Sequence, residues 1–276
     1  MNVQLIALDM DGTTLQDDHL SISLRTEQAI KAAVAKGIVV VPATGRLDTL
    51  LPQSLMRMDG IRYAITSNGA ATYDMQNQKM IYSDFIQAEV VQEILNMLPL
   101  KDVLVEIFRN GKLLVERSYI ETLLNYPVSF LHLDVLKRIQ TQVDDLSDYV
   151  QTHSDQIEKI NMPFVQPEYQ NFLWEKLSIL PSIALTSSIA NNMEINSATA
   201  NKGAALQKLC EFLKIAPENV IAMGDNGNDI EMLQFAGTSI AMGNATDGAK
   251  SAATTVTLPS NEDGVAIAIE KYALNI

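Results

Sequence analysis

Val3-Gln4-Leu5-Ile6-Ala7-Leu8 is an apolar run of strand length, and it ends at Asp9-Met10-Asp11-Gly12-Thr13-Thr14. A run of that kind, with one polar interruption, reads as a strand buried on both faces of a parallel sheet. It delivers two carboxylates to the strand's carboxyl end, where open α/β sheets bind ligands. Like charges this close repel unless a cation or a shared proton relieves them. Asp9 and Asp11 therefore make a seat for a hard metal, and one of them can also act as a nucleophile. Taken alone, the hexapeptide has a competing reading, an acidic turn bent at Gly12.

A second acidic cluster argues against the simple turn. Val220-Ile221-Ala222-Met223 is another short apolar run, followed by Gly224-Asp225-Asn226-Gly227-Asn228-Asp229 and then by the helical pattern Ile230-Glu231-Met232-Leu233. Carboxylates again fall at a strand-to-helix corner. The segment lacks the twelve-residue calcium loop with its terminal bidentate Glu. It reads instead as half of a site whose other half is Asp9 and Asp11.

The chain around these clusters has 276 residues, enough for one or two domains, and 47% of them are hydrophobic. With 19% charged residues it is not a disordered chain. No apolar run reaches membrane-spanning length, and the N-terminus has no basic segment leading into an apolar one, so neither a membrane span nor a secretory signal is expected. Cys210 is the only cysteine, which rules out an intrachain disulfide and suits a reducing cytoplasm. Set in the pattern Leu206, Leu209, Phe212 and Leu213, it reads as helix core. A net charge of −13 argues against nucleic-acid binding by bulk electrostatics. An anionic substrate would need a local cation or a metal.

The order of elements predicts the architecture. Strand 3–8 is followed by a helical spacing over 21–36 that stops at Gly37, a strand over 38–41, a helix reaching about Met58, and a strand over 63–66 that ends at Ser67-Asn68-Gly69-Ala70. This alternation predicts a doubly wound, Rossmann-like parallel sheet, an α/β fold. Near Ser83 the rhythm changes. A helix over 90–98 precedes strands 103–108 and 112–116 flanking Asn110-Gly111, a hairpin signal. A strand within 154–161 and a helix over 167–178 follow. From Asn201 the first rhythm resumes, with strands at 220–223, 239–242 and 255–258. The expectation is a core of residues 1–83 and 195–276, interrupted by an inserted α+β domain over 84–194.

Two more residues join the expected site. Thr44 follows strand 38–41 at the same end of the sheet as Asp9, where its hydroxyl and nearby amides can hold a phosphate oxygen or cap a helix. Lys202 opens the helix leading into strand 220–223. A cation is disfavoured at a helix N-terminus unless an anion faces it, so this local inconsistency points to a partner.

Together these segments resemble the haloacid dehalogenase superfamily of phosphohydrolases, in its Cof-type sugar-phosphatase branch. The D-x-D-G-T motif stands at Asp9–Thr13, A-T-G-R at Ala43-Thr44-Gly45-Arg46, the lysine of N-K-G at Asn201-Lys202-Gly203, and G-D-x-x-N-D at Gly224–Asp229. Ala241–Ala245 and Glu262–Val265 also fit that branch, whereas the insert carries no nameable motif. The resemblance implies that Asp9 is a nucleophile forming an aspartyl-phosphate and that Asp11 is the general acid and then base. It implies Mg²⁺ held by Asp9, the Asp11 main-chain carbonyl and Asp225. Thr44, Gly45, Lys202 and Asn228 would hold the substrate phosphate, with Asn228 alternatively shaping its loop. Asp229 would orient Lys202 or a metal-bound water. The implied partner is a small-molecule phosphate ester, with the cap selecting among esters.

The three histidines, His19, His132 and His153, lack metal-ligand spacing and read as ordinary polar or interface residues. Asp17-Asp18 reads as a solvated turn, and Phe172 and Trp174 as core of the insert. Three alternative readings compete with this one. A response-regulator receiver would be near 120 residues without an insert. A phosphosugar mutase would need a dense Arg/Lys cluster in 84–194 that the sequence lacks. A non-catalytic binder of a phosphorylated metabolite or pyridoxal phosphate would be separated by a turnover assay. Nothing in the sequence sets an oligomeric state.

Overall fold

The computed structural model describes residues 2–99, 103–123, 133, 139–153, 155–187 and 191–276. The chain divides into two compact units. The first comprises Met1–Arg46, Leu51–Ser83 and Asn201–Ile276, and the second comprises Leu47–Leu50 and Asp84–Ala200.

The first unit is built on five parallel strands. In chain order these are β1 (Leu5–Leu8), β2 (Val39–Pro42), and, after β3 to β11 described below, β12 (Val220–Gly224), β13 (Thr238–Ala241) and β14 (Thr255–Val256). Their spatial order is β14-β13-β12-β1-β2. Leu5, Ile6, Ala7 and Leu8 are all fully buried, as a strand covered on both faces requires. The crossover to β2 is the helix Leu24–Ala35, opened by the Ser23 side chain, which accepts from the Thr26 amide. It buries Ala29, Ile30 and Ala33 against the sheet.

The strand expected at 63–66 forms, but not as an extension of that sheet. β3 (Tyr63–Thr66) pairs antiparallel with β4 (Ala71–Asp74), which pairs with β5 (Lys79–Ser83). β3 packs beside β2 in the same core and joins the parallel sheet through a bridge between Ala43 and Ile65, where the Thr44 amide donates to the Ile65 carbonyl at 2.9 Å. The reason is local. Ser67, Asn68 and Gly69 all take positive φ, so the chain turns back within three residues instead of running into a crossover helix. The helix expected through Met58 is likewise only a single turn, Gln53–Met56.

The second unit carries a six-stranded mixed sheet of order β10-β11-β9-β6-β7-β8. Its strands are β6 (Glu106–Arg109), β7 (Lys112–Glu116), β8 (Gln140–Val143), β9 (Ile157–Met162), β10 (Ile183–Thr186) and β11 (Met193–Ser197). Only β7 and β8 pair in parallel. The helices Ala88–Met97 and Pro167–Leu177 supply Val91, Ile94, Leu95, Leu173 and Leu177 to the core on one face, against Ile107, Ile160 and Ile195. The expected boundary between 194 and 195 falls inside β11, whose ladder to β10 runs through Ser197. Phe172 and Trp174, expected in the core of the insert, are 51% and 38% exposed, because their helix turns Leu173 and Leu177 inward instead. Among the described residues no helix is long and apolar enough to cross a membrane.

Candidate active site

β1 and β12 are neighbours in the sheet, with Leu8 opposite Met223. The strands that follow β1 and β12 in the chain lie on opposite sides of this pair, so the sheet reverses direction here. Ligands of open α/β sheets bind outside the carboxyl ends of strands at such a point. Asp9 leaves β1 and Asp225 leaves β12 at that spot, so residues 216 positions apart in sequence number share one corner.

The Asp9–Thr14 loop is held by its own residues. The Asp9 amide donates to the Met223 carbonyl at 3.0 Å, and the Thr14 hydroxyl donates to the Asp9 carbonyl at 2.6 Å. Gly12 has φ +80°, and a Cβ there would stand 2.5 Å from Asp225 Oδ2. Only glycine meets both conditions. Thr13 Oγ1 donates to Asp225 Oδ1 at 2.8 Å, tying the two acidic loops together.

Lys202 is the first residue of the helix Lys202–Leu213, capped by Asn201, whose side chain accepts from the Ala204 amide at 2.7 Å. It is fully buried. Its Nζ donates to Asp9 Oδ1 at 2.5 Å and to Asp229 Oδ1 at 2.7 Å. The anionic partners expected for a lysine at this end of a helix are therefore present. Gly203 makes the approach possible, since a Cβ there would stand 2.5 Å from the Glu231 backbone. Asp229 spends its other oxygen on the amides of Asp225 and Asn226, at 2.9 and 3.0 Å. One carboxylate thus fixes both the lysine and the backbone of the Asp225 loop.

Burial shapes the ionisation of these groups. It pushes Asp9 well above the carboxylate range, helped by the Asp229 charge and opposed by Lys202. Burial and Asp229 likewise push Asp225 up to about 6. Burial would depress Lys202, but Asp229 and Asp9 outweigh it and raise the ammonium, which stays charged. Asp9, Asp225 and Asp229 each offer an oxygen within 4.8 Å of one another. This is a crowd of carboxylates that one lysine does not neutralise.

Asp11 stands apart from that crowd. Arg46 grips it at both oxygens, Nε to Oδ2 at 2.7 Å and an Nη to Oδ1 at 2.5 Å. His19 Nδ1 lies 2.9 Å from Asp11 Oδ1. Burial by itself would raise the Asp11 carboxyl, but the His19 and Arg46 bonds prevail and hold it at about 2. The same bond raises the His19 imidazole. His19 is therefore a correction to the sequence reading, because it borders the site. His153 stacks on Tyr149 with ring centroids 4.2 Å apart, in the second unit. His132 lies outside the described residues.

Thr44 is buried, and its hydroxyl accepts from the Arg46 amide at 3.1 Å; no helix starts there for it to cap. Gly45 packs against Asn68, whose Oδ1 would lie 2.7 Å from a Cβ at that position. Asn228 Nδ2 donates to the same Asn68 Oδ1 at 3.1 Å. Asn68 is thus a hub that the sequence reading passed over, although three successive positive φ values at Ser67-Asn68-Gly69 mark it. Asn244 is another such residue, its side chain donating to the Gly12 carbonyl at 2.8 Å. Cys210 is buried in the helix core with its thiol pushed up to about 11, although Phe212 beside it is 55% exposed and not core.

In sequence the chain is similar to named phosphatases. Phosphatase YwpJ of Bacillus subtilis is 30% identical over 290 residues, spanning 96% of this chain and 98% of that protein. The 5-amino-6-(5-phospho-D-ribitylamino)uracil phosphatase YcsE of the same organism is 30% identical over 279 residues, spanning 99% and 97%. Among solved structures, a haloacid dehalogenase-like hydrolase from B. subtilis matches with a TM-score of 0.82 at 28% identity, over 98% of this chain and 100% of that one. A subclass IIB sugar phosphatase of the same superfamily shares the fold, with a TM-score of 0.81 at 24% identity over 99% and 100%. Residues 6–269 match the haloacid dehalogenase-like hydrolase family, and the chain belongs to it.

Proposed function

We propose that this hydrolase is a Mg²⁺-dependent phosphatase of small phosphate esters, sugar phosphates foremost, working through an aspartyl-phosphate on Asp9. The observation that carries the reading is Lys202, fully buried and bonded to both Asp9 and Asp229. A protein that buries a charged lysine against two carboxylates has fixed a cation beside a carboxylate nucleophile, where the charge of a transferring phosphoryl group would otherwise go uncompensated. The phosphatase activities of YwpJ and YcsE support the same reaction class.

The residues fit a hard divalent cation. Burial, and after it the neighbouring Asp229 charge, raises both Asp9 and Asp225, and a bound cation would favour their ionised forms. The donors are all oxygen, which favours Mg²⁺ over thiolate-seeking metals. Asp229 lies within the same cluster, but its oxygens are engaged by Lys202 and two amides, so it acts as a support and not as a ligand. Asp9, Asp225 and the Asp11 carbonyl would hold the ion. When bound, it supplies positive charge to the phosphoryl oxygens.

The rest of the mechanism belongs to the chain. Asp9, held by Lys202 at one oxygen, attacks phosphorus, and the bond to the leaving oxygen breaks. Asp11 gives that oxygen its proton, then takes one from the water that opens the aspartyl-phosphate. Thr44, Gly45 and Asn228 would steady the phosphoryl oxygens. Asp11 clamped at about 2 is ionised at neutral pH and has no proton to give, so its carboxyl must leave the Arg46 grip and take one up before it can donate. The second unit is assigned the selection of the leaving group, as an insertion joined to the first unit near residues 83 and 200.

The test is phosphate release from a panel of phosphorylated metabolites and p-nitrophenyl phosphate. Turnover should require Mg²⁺, stop in EDTA and return with added Mg²⁺. Full activity in chelator would remove the metal from the mechanism, and binding without turnover of any ester would favour the non-catalytic reading.

A further inference from the structure

After β3 the chain reverses through Ser67, Asn68 and Gly69, with φ of 50°, 59° and 96°. Asparagine adopts this left-handed region more readily than most residues, so the backbone accounts for an asparagine at 68. It does not account for where the side chain is sent. The turn is pinned to the Thr44–Arg46 segment: the Ser67 amide donates to the Arg46 carbonyl at 2.9 Å, and the Asn68 amide donates to the Thr44 carbonyl at 3.0 Å. Asn68 is buried, and its Oδ1 fills the space over Gly45, where a Cβ would stand 2.7 Å from it. These residues and Asn228 all belong to the first unit.

Asn228 meets the same oxygen. It lies in the short turn Gly227–Asp229, between β12 and the helix Ile230–Phe235. Other side chains hold that turn. Asn226 Oδ1 accepts from the Gly227 amide at 2.8 Å, and Asp229 Oδ2 accepts from the amides of Asp225 and Asn226. Among the described residues the Asn228 side chain bonds only to Asn68, its Nδ2 donating to Oδ1 at 3.1 Å. The bond joins positions 160 apart, so it does not serve the local turn. A carboxamide has a donor end and an acceptor end of nearly equal shape, and its partner decides which end faces where. An ionised phosphoryl oxygen only accepts, so an Asn228 that serves one must present nitrogen. The Asn68 oxygen takes one hydrogen of that nitrogen and leaves the second to donate.

We propose that Asn68 is a positioning residue for phosphoryl transfer: its Oδ1 fixes the orientation of the Asn228 amide, whose remaining N–H donates to a phosphoryl oxygen. The assignment rests on the phosphatase reading above and adds a residue to it. It also decides between the two roles open to Asn228, because Asn226 and Asp229 already shape that loop. Gly45 takes part by lacking a side chain, since a Cβ there would push the Asn68 amide off its place beside Asn228. Asn68 itself touches no substrate in this account. Its effect on turnover passes through Asn228, and that dependence is measurable.

The experiment is a double-mutant cycle on the full chain with Mg²⁺, read as kcat/KM for the ester of the panel above that wild type turns over best. Asn68→Gly removes the acceptor and keeps the left-handed backbone, which glycine adopts freely. Asn68→Gly and Asn228→Ala should each lower kcat/KM about tenfold, the order that a misplaced group costs. The double variant should fall within about twofold of Asn228→Ala, because the amide that Asn68 orients is already gone. A turn that merely supports the fold would instead give losses that multiply. Multiplied losses overturn the assignment, as does either single variant within about twofold of wild type. Where circular dichroism shows that Asn68→Gly does not fold, Gly45→Ala decides, since the three atoms nearest its Cβ all belong to the Asn68 side chain, whose end can swing away. It should lower kcat/KM severalfold alone and leave Asn228→Ala unchanged within about twofold. Multiplied losses, or no loss, again overturn the assignment while wild-type turnover leaves the phosphatase reading standing. Wild type that releases phosphate from no ester refutes that reading, and this assignment with it.

Discussion

Asp225→Asn should inactivate the protein and yet stabilise it when no metal is present. Asp225 is raised from 3.8 to about 6, chiefly by burial and by the Asp229 charge. A raised folded-state value means that the native state prefers the protonated carboxyl. The stability it contributes is complete below about pH 4 and is lost as pH rises through about 6. Two pKa units amount to about 3 kcal/mol at pH 8, by the usual 1.36 kcal/mol per unit. Asparagine carries no charge and therefore no such penalty, while its amide oxygen still accepts from Thr13. Asp9 lies in the same carboxylate cluster and takes part of that relief, so about half of the figure is a conservative expectation, about 1.5 to 3 kcal/mol. For units of this size that corresponds to a rise in Tm of about 3 to 12 °C. Thermal melts in EDTA at pH 4.5 and pH 8 measure it directly. The mutant should melt above wild type at pH 8 and close to it at pH 4.5, and Mg²⁺ should raise the wild type far more than the mutant. A mutant that melts below wild type at pH 8, or a gap equal at both pH values, would refute the electrostatic account.

Lys202→Met should have the opposite sign, because it leaves Asp9 and Asp229 buried without their shared cation. Breaking such a buried group of charges costs about 3–5 kcal/mol, and urea unfolding at pH 7.5 that shows a loss under 1 kcal/mol would count against the described pairing. Asp9→Asn should lower phosphate release by orders of magnitude while circular dichroism shows a native-like fold, since a neutral amide is a poor nucleophile. Arg46→Gln frees a partly exposed carboxylate, so its stability cost at neutral pH should be only about 1 kcal/mol. The informative readout for that variant is the pH profile of kcat, whose acidic limb should move upward as Asp11 loses the clamp; an unmoved limb would dissociate Asp11 from the limb.

The parts of the site that were legible in the sequence are those whose geometry is local. Asp9 and Asp11 follow one apolar run, and Asp225 and Asp229 follow another, so strand ends alone place them at one edge of a sheet. Lys202 was legible for a different reason: a cation at the start of a helix implies an anion facing it, and the structure supplies Asp9 and Asp229. His19 was not legible because it has no metal-ligand spacing, and its side chain meets the site through one bond to Asp11 across a loop. The grip of Arg46 on Asp11 spans 35 positions and has no periodicity to reveal it. Strands β4 and β5 were missed because Ser67-Asn68-Gly69 was read as the end of a strand, when its positive φ values turn a hairpin. The buried side-chain oxygen of Asn161, which has no donor, could not have been read at all, since it exists only once three strands are in register.

The adjacency of β1 and β12 also governs how the chain is made. During synthesis at about 5–20 residues per second, β12 follows β1 by roughly 10 to 40 seconds. Throughout that interval β1 has β2 on one side and nothing on the other, although its fully buried side chains require both neighbours. The second unit is completed first, since all its segments precede residue 201. The nascent first unit therefore carries an open, apolar strand edge, the kind that pairs with other chains. Closure of the sheet by a strand more than two hundred residues away makes this a slow-folding topology. The acidic corner comes into being only at that closing step, so the protein acquires its chemistry last.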